Sequence, residues 1–131
     1  MADAVNTTVI YQDTVRYVVK ITNLSDGTGE TAVTKVDKST LTGPNGLEPT
    51  ELVVECIDAD VAGMQVYLYA DHTTDVPIAR IGGLGRYKRD FRKTGGLSTA
   101  GAGDTGDILL TTNGHSSGDS YDITLYLRKK D

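Results

Sequence analysis

The 131-residue chain has no tryptophan, one cysteine (Cys56), two histidines (His72 and His115) and three prolines. A lone thiol excludes a disulfide framework and a cysteine-based zinc cluster within one chain, and it fits a reducing compartment. Two isolated histidines do not make a metal site, so no metal and no cofactor are expected. Long apolar runs are missing too: none approaches the ~20 residues needed to span a bilayer, and MADAVNTT lacks the basic and apolar regions of a secretion signal. The expectation is a soluble, non-secreted chain with no membrane partner. No window carries an apolar stripe at helical spacing with caps at both ends, so helix is not expected either.

What the chain has is a period of two. Val15, Tyr17, Val19 and Ile21 alternate with Arg16, Val18, Lys20 and Thr22, which puts one set toward a core and the other largely outward. Met64 to Ala70 and Asp122 to Arg128 repeat the pattern. Weaker strands are expected at Thr8–Gln12, Ala32–Val36, Glu51–Ile57, Val76–Ile81, Arg86–Arg92 and Asp107–Thr112. Fifteen glycines fall chiefly between these segments, and Gly43-Pro44 and Asn45-Gly46 mark turns inside Leu41–Thr50. Thr94–Gly106, with five glycines, reads either as a mobile surface loop or as one ordered by contact with a partner. About nine short strands in one chain predict an all-β protein, a single-domain antiparallel β-sandwich of jelly-roll-like type over residues 1–131.

The net charge of −5 argues against a general nucleic-acid binder, but it is unevenly spread. Six of the thirteen basic residues, Arg80, Arg86, Lys88, Arg89, Arg92 and Lys93, stand in residues 80–93 against the single Asp90, a local +5, while residues 1–79 carry −8. Tyr87 and Phe91 are interleaved among them. Basic residues on an edge strand discourage aggregation, yet one or two suffice for that. A solvated edge strand stands as one reading; the other takes the six cations and two aromatics as a docking strip for an acidic protein surface, with Tyr87 and Phe91 as anchors. A single-stranded nucleic acid stacking on the two rings is a further reading, which the acidic remainder of the chain opposes.

Sites for chemistry are thin. Asp58 and Asp60, expected in a turn after the Glu51–Ile57 strand, and the GDTGD loop with Asp104 and Asp107 could offer oxygens to a hard cation, but neither matches an EF-hand; solvated turn aspartates explain both. His115, Ser116, Ser117 and Asp119 are neighbours on one turn, a poor geometry for a catalytic triad. Cys56 alternates with Leu52 and Val54 and reads as a buried, inert thiol on an apolar face. Ile81-Gly82-Gly83-Leu84-Gly85-Arg86 lacks the spacing of a phosphate cradle. The expectation is a non-enzyme.

Two stretches carry a family resemblance. Residues 21–37, Ile21-Thr22-Asn23-Leu24-Ser25-Asp26-Gly27-Thr28-Gly29-Glu30-Thr31-Ala32-Val33-Thr34-Lys35-Val36-Asp37, resemble a segment recurring in small virion structural proteins of tailed bacteriophages, notably those of aquatic bacteria. Residues 106–125, from Gly106-Asp107-Ile108-Leu109-Leu110 through Asn113-Gly114-His115 to Ile123-Thr124-Leu125, resemble the C-terminal segment of the same proteins. The resemblance implies a capsid decoration or cement protein: a compact β-rich domain, made in the host bacterial cytoplasm, bound in many copies to the major capsid protein on the outside of the shell, and a homo-oligomer, a trimer by preference. The stretch Arg80 to Lys93 is more basic than that family pattern, which leaves a place in the neck or tail open. On this view Arg80, Arg86, Tyr87, Lys88, Arg89, Phe91, Arg92 and Lys93 contact the shell or sister subunits. The rival from another class is a carbohydrate- or calcium-binding β-sandwich module using Asp58, Asp60, Asp104, Asp107 and the tyrosines.

Overall fold

The computed structural model describes residues 4–24, 30, 33–43, 46–49, 51–71, 76–82, 84–98, 107–113 and 118–130. Ten strands occur among them: Ala4–Gln12 (β1), Arg16–Leu24 (β2), Val33–Val36 (β3), Glu51–Ala62 (β4), Gln65–Ala70 (β5), Val76–Ile81 (β6), Leu84–Asp90 (β7), the two-residue Leu97–Ser98 (β8), Ile108–Asn113 (β9) and Ser120–Lys130 (β10). Every expected strand is present, and β8 is an addition inside the expected long loop. The remainder of that loop, residues 99–106, lies outside the described residues, as do His72 and His115.

The strands form two antiparallel sheets. The first has the order β1-β2-β10-β4-β7, with β8 also on β4; the second has the order β3-β9-β5-β6. The pairs are nested: β2 with β10, β3 with β9, β4 with β7 and β5 with β6. A long antiparallel hairpin folded over on itself in this way is a jelly roll, and the β10–β4 and β9–β5 ladders join its turns into sheets.

The alternation decides which faces meet. Val19 and Ile21 of β2, Ile57, Ala59 and Val61 of β4, and Ile123, Leu125 and Leu127 of β10 point inward from the first sheet. Val66 and Leu68 of β5 and Ile108 and Leu110 of β9 meet them from the second, and all are at most 1% exposed. Sliding any of these strands by one residue would turn its whole apolar set to water, so the pattern holds the register.

Two buried charged groups close the ends of the sandwich. Glu30, between β2 and β3, accepts a hydrogen bond from Asn23 Nδ2 at 2.7 Å and others from Tyr121 Oη and Lys35 Nζ. Its own backbone exchanges bonds with Thr112: Glu30 N donates to Thr112 Oγ1 and Thr112 N donates to Glu30 O, both at 2.9 Å. Residues of β2, β3, β9 and β10 thus converge on one residue, which ties the two sheets together. At the other end Lys129, only 3% exposed, donates to the carbonyls of Asp13 at 2.7 Å and Thr42 at 2.9 Å. Burial holds its ammonium below the usual lysine range.

Asp13 shapes the turn between β1 and β2. Its Oδ1 accepts from the backbone N–H of Val15 at 2.8 Å and of Arg16 at 2.6 Å, and Tyr11 Oη donates to Oδ2 at 2.7 Å. Those donors favour the carboxylate and hold it below the ordinary aspartate range. In the segment between β3 and β4, Gly43 N donates to Leu47 O and Gly46 N to Gly43 O, which bears out the turn expected around Gly43 and Gly46.

Two expectations about β4 need correction. The strand runs on to Ala62, so Asp58 and Asp60 are strand residues and not turn residues. They face β7 in register, Asp58 opposite Lys88 and Asp60 opposite Arg86, and opposite charges across a ladder support carboxylates in a strand. The expected alternation of Leu52, Val54 and Cys56 on one face also fails. β10 pairs Leu127 with Val54 and Tyr126 with Cys56, leaving Glu55 as an extra residue. This bulge turns Cys56 to the outer face, where it is still buried, at 6% exposure.

Candidate functional site: the outer face of the first sheet

The outer face of the first sheet can be read row by row from the ladders. One row carries Val18, Tyr126, Cys56 and Asp90; the next Lys20, Thr124, Asp58 and Lys88; the third Thr22, Asp122, Asp60 and Arg86. Arg16 and Arg128 stand opposite each other at the end of the face. Four strands thereby lay acidic and basic side chains side by side, and the bulge adds Glu55.

Opposite the bulge the sheet edge is interrupted. β7 and β8 both run antiparallel to β4, pairing with Ala62 to Cys56 and then with Val54 and Val53, as two pieces of one edge. Between them Phe91 to Gly96 loops out: Phe91 N donates to Glu55 O at 2.8 Å and Gly96 N closes the excursion on Phe91 O at 2.8 Å. Gly96 has φ +85°, and a Cβ there would lie 2.2 Å from Val53 Cγ1, so both the backbone angle and the space demand glycine. The excursion carries a short 3-10 turn, Arg92–Thr94, that presents Arg92 and Lys93 to solvent.

The charges of this face are largely matched. Arg86 grips Asp58 through two bonds, Nη2 to Oδ2 at 3.1 Å and Nε to Oδ1 at 3.3 Å. Arg92 grips Asp90 in the same two-pronged way at 2.6 and 3.0 Å, and that bond, more than any other cause, holds the Asp90 carboxyl far below the usual carboxylate range. Lys20 pairs with Asp122 at 3.2 Å, and Arg16 pairs with Glu55. Burial pushes the Cys56 thiol up, with Asp90 adding to the effect, so the thiol is held in its neutral, unreactive form. Two shallow depressions of about 230 Å³ each meet at Asp58. One is lined by Arg16, Val18, Glu55, Cys56, Lys88, Arg92 and Tyr126, the other by Lys20, Asp60, Arg86, Asp122 and Thr124.

The expected basic strip is divided by this geometry. Arg86, Lys88 and Arg92 do come together on the outer face of the first sheet. Tyr87 and Phe91 do not join them: both are half-buried and packed against the core, so they serve the sandwich and are not exposed anchors. Arg89 shares the side of Tyr87, opposite Ile57, and remains exposed at the sheet edge. Arg80 belongs to the second sheet, where its guanidinium lies 5.6 Å from the centre of the Tyr67 ring. Nor does the local +5 survive in space, because β4 brings Glu55, Asp58 and Asp60 beside it. Among the contributors, Arg16, Val18, Glu55 and Tyr126 were not anticipated. The outward phase of β2 and β10 was legible in the sequence, but the order placing β10 between β2 and β4 was not.

Of the carboxylates considered for a cation, Asp58 and Asp60 face β7 on the first sheet. Asp107, just before β9, accepts a bond from Lys38 N at 2.9 Å, and Asp104 lies outside the described residues. Among the described residues no three His, Cys, Asp or Glu side chains group as metal ligands. No protein-family model, no curated protein and no solved structure matches the chain.

Proposed function

We propose that this chain is a non-enzymatic structural protein of a tailed-bacteriophage particle, a capsid decoration or cement protein that bridges subunits of the major capsid protein on the shell exterior. The observation that carries the proposal is the outer face of the first sheet. It is broad and shallow, it holds matched charges of both signs, and it exposes Tyr126 and Arg16 beside Val18. Such a face suits a protein partner of complementary charge better than a polyanion, since mixed charges fix register and reject wrong partners. Arginine and tyrosine are also the side chains that concentrate binding energy in protein interfaces. The resemblance of residues 21–37 and 106–125 to small virion proteins supports placing the partner on a phage particle, and jelly rolls recur among viral shell proteins. A cement protein works by adding modest buried interface at joints, multiplied by copy number.

The test is occupancy on purified particles. Replacing Arg16, Lys88, Arg92 and Tyr126 together by Ser is expected to strip the protein from the shell at physiological salt, while replacing Arg80 and Lys93 leaves occupancy unchanged. Full occupancy of the first variant would overturn the assignment of this face.

One observation favours a second reading, a carbohydrate-binding module. On the outer face of the second sheet the rings of Tyr67 and Tyr69 lie 6.4 Å apart at 20°, flanked by Gln65, Arg80, Thr111 and Asn113. Rings with amide, hydroxyl and guanidinium neighbours are the groups a sugar needs. Titration with oligosaccharides, followed by tyrosine fluorescence in wild type and Tyr67→Ala, separates the two readings.

A further inference from the structure

We propose that β1 is a self-pairing edge through which two copies of this chain join their first sheets into one continuous sheet about a two-fold axis. Among the described residues β1 pairs only with β2, so one side of its backbone is open. Edge strands are normally guarded by lysine, proline, an inward charge or a bulge. Ala4–Gln12, AVNTTVIYQ, has no lysine, proline or charge, its bulge lies only past Val9, and it exposes Val5 (38%), Val9 (47%) and Ile10 (55%). An open strand edge selects an extended chain as its occupant.

The pattern of β1 selects a second copy. Its ladder with β2 puts Val5, Thr7 and Val9 on the core side, opposite Asn23, Ile21 and Val19, and Asn6 and Thr8 on the other side. An antiparallel partner keeps these faces only if each residue meets one of the same parity. With the axis through Thr7, Val5 meets Val9 of the second copy twice, Asn6 meets Thr8 twice, and Thr7 meets itself. Shifting the axis to Asn6 sets Val5 against Thr7, and shifting it to Thr8 sets Val9 against Thr7 and leaves Val5 opposite Tyr11, past the bulge. Valine–valine and threonine–threonine neighbours are favourable cross-strand pairs, and no charge is repeated across the axis. The run ends where it should: a bulge between Val9 and Tyr11 leaves Ile10 outside the ladder and bends the strand away. This contact is isologous, residue i meeting j and j meeting i, as a closed dimer requires. It stands apart from the shell-binding face, so the failure of either leaves the other intact.

Sedimentation velocity of the full chain across a concentration series tests it. Wild type is expected to pass from monomer to dimer as concentration rises. Thr7→Lys, an exposed substitution that sets two cations face to face, is expected to abolish the dimer with an unchanged circular dichroism spectrum. Mixing T7K with T7D is expected to restore a dimer, which a merely destabilised strand could not do. A wild type that stays monomeric, a three-fold species, a T7K variant that dimerises like wild type, or a T7K and T7D mixture that stays monomeric would each overturn the proposal.

Discussion

Replacing Glu30 by Gln removes one charge of a buried ion pair and is expected to destabilise the fold strongly. The side chains of Glu30 and Lys35 are 6% and 3% exposed, so neither charge has water to fall back on. Oε1 accepts from Asn23 and Tyr121, and Oε2 accepts from Lys35. A glutamine oxygen can keep the first two bonds, but its NH₂ then faces the Lys35 ammonium, donor against donor. Removing one member of a buried ion pair typically costs about 3–5 kcal/mol, because the remaining charge stays buried without compensation. Part of that loss should be recovered in the Glu30→Gln, Lys35→Met double variant, which removes the orphaned ammonium and leaves only the introduced amide N–H without an acceptor, at a cost of about 1–3 kcal/mol. The assay is urea unfolding followed by circular dichroism, with the slope checked so that a change in midpoint reports stability alone. An E30Q variant that loses less than about 1 kcal/mol, or a double variant as damaged as the single, would refute the role of this pair as the tie between the sheets.

Three further outcomes follow from the same structure. Gly96→Ala is expected to cost about 1–3 kcal/mol in urea unfolding, because alanine at φ +85° is strained and its Cβ would enter Val53. Lys129→Met should cost about 2 kcal/mol at pH 7 by stripping a charged donor from the carbonyls of Asp13 and Thr42. The folded state also holds Lys129 below its unfolded range, so wild-type stability gains as pH rises through the depressed value toward about 10.4, and K129M lacks that gain. Asp13 has the opposite sense: held below its unfolded value, it contributes stability that is complete above about pH 4 to 5 and is lost as pH falls. Asp13→Asn should therefore lower the urea midpoint at pH 6 and flatten its decline toward pH 3.

The alternation of Val19 with Lys20 and of Leu125 with Tyr126 announces a sheet with one wet face, which is why strands and fold class were legible from residues alone. Pairing was not, since β4 reads its partners from β7 and β10, far away in the chain. Asp58 and Asp60 look like turn residues until Arg86 and Lys88 stand opposite them. For the same reason the basic stretch promised a positive patch that β4 cancels. Glu30 and Lys129 carry no local sign of burial: one sits beside a glycine-rich segment and the other in a run of cations near the chain end, and only the nesting of strands encloses them. Tyr87 and Phe91 were legible as facing one way, but nothing local says that this way is inward.

The most direct test of the proposed role is a cryo-electron microscopy map, with copy number from quantitative mass spectrometry, of tailed-phage particles assembled in cells that express this chain. Many copies are expected on the outside of the head, each seated with Arg16, Lys88, Arg92 and Tyr126 against the major capsid protein. Absence from the particle, or a few copies confined to neck or tail, would contradict it.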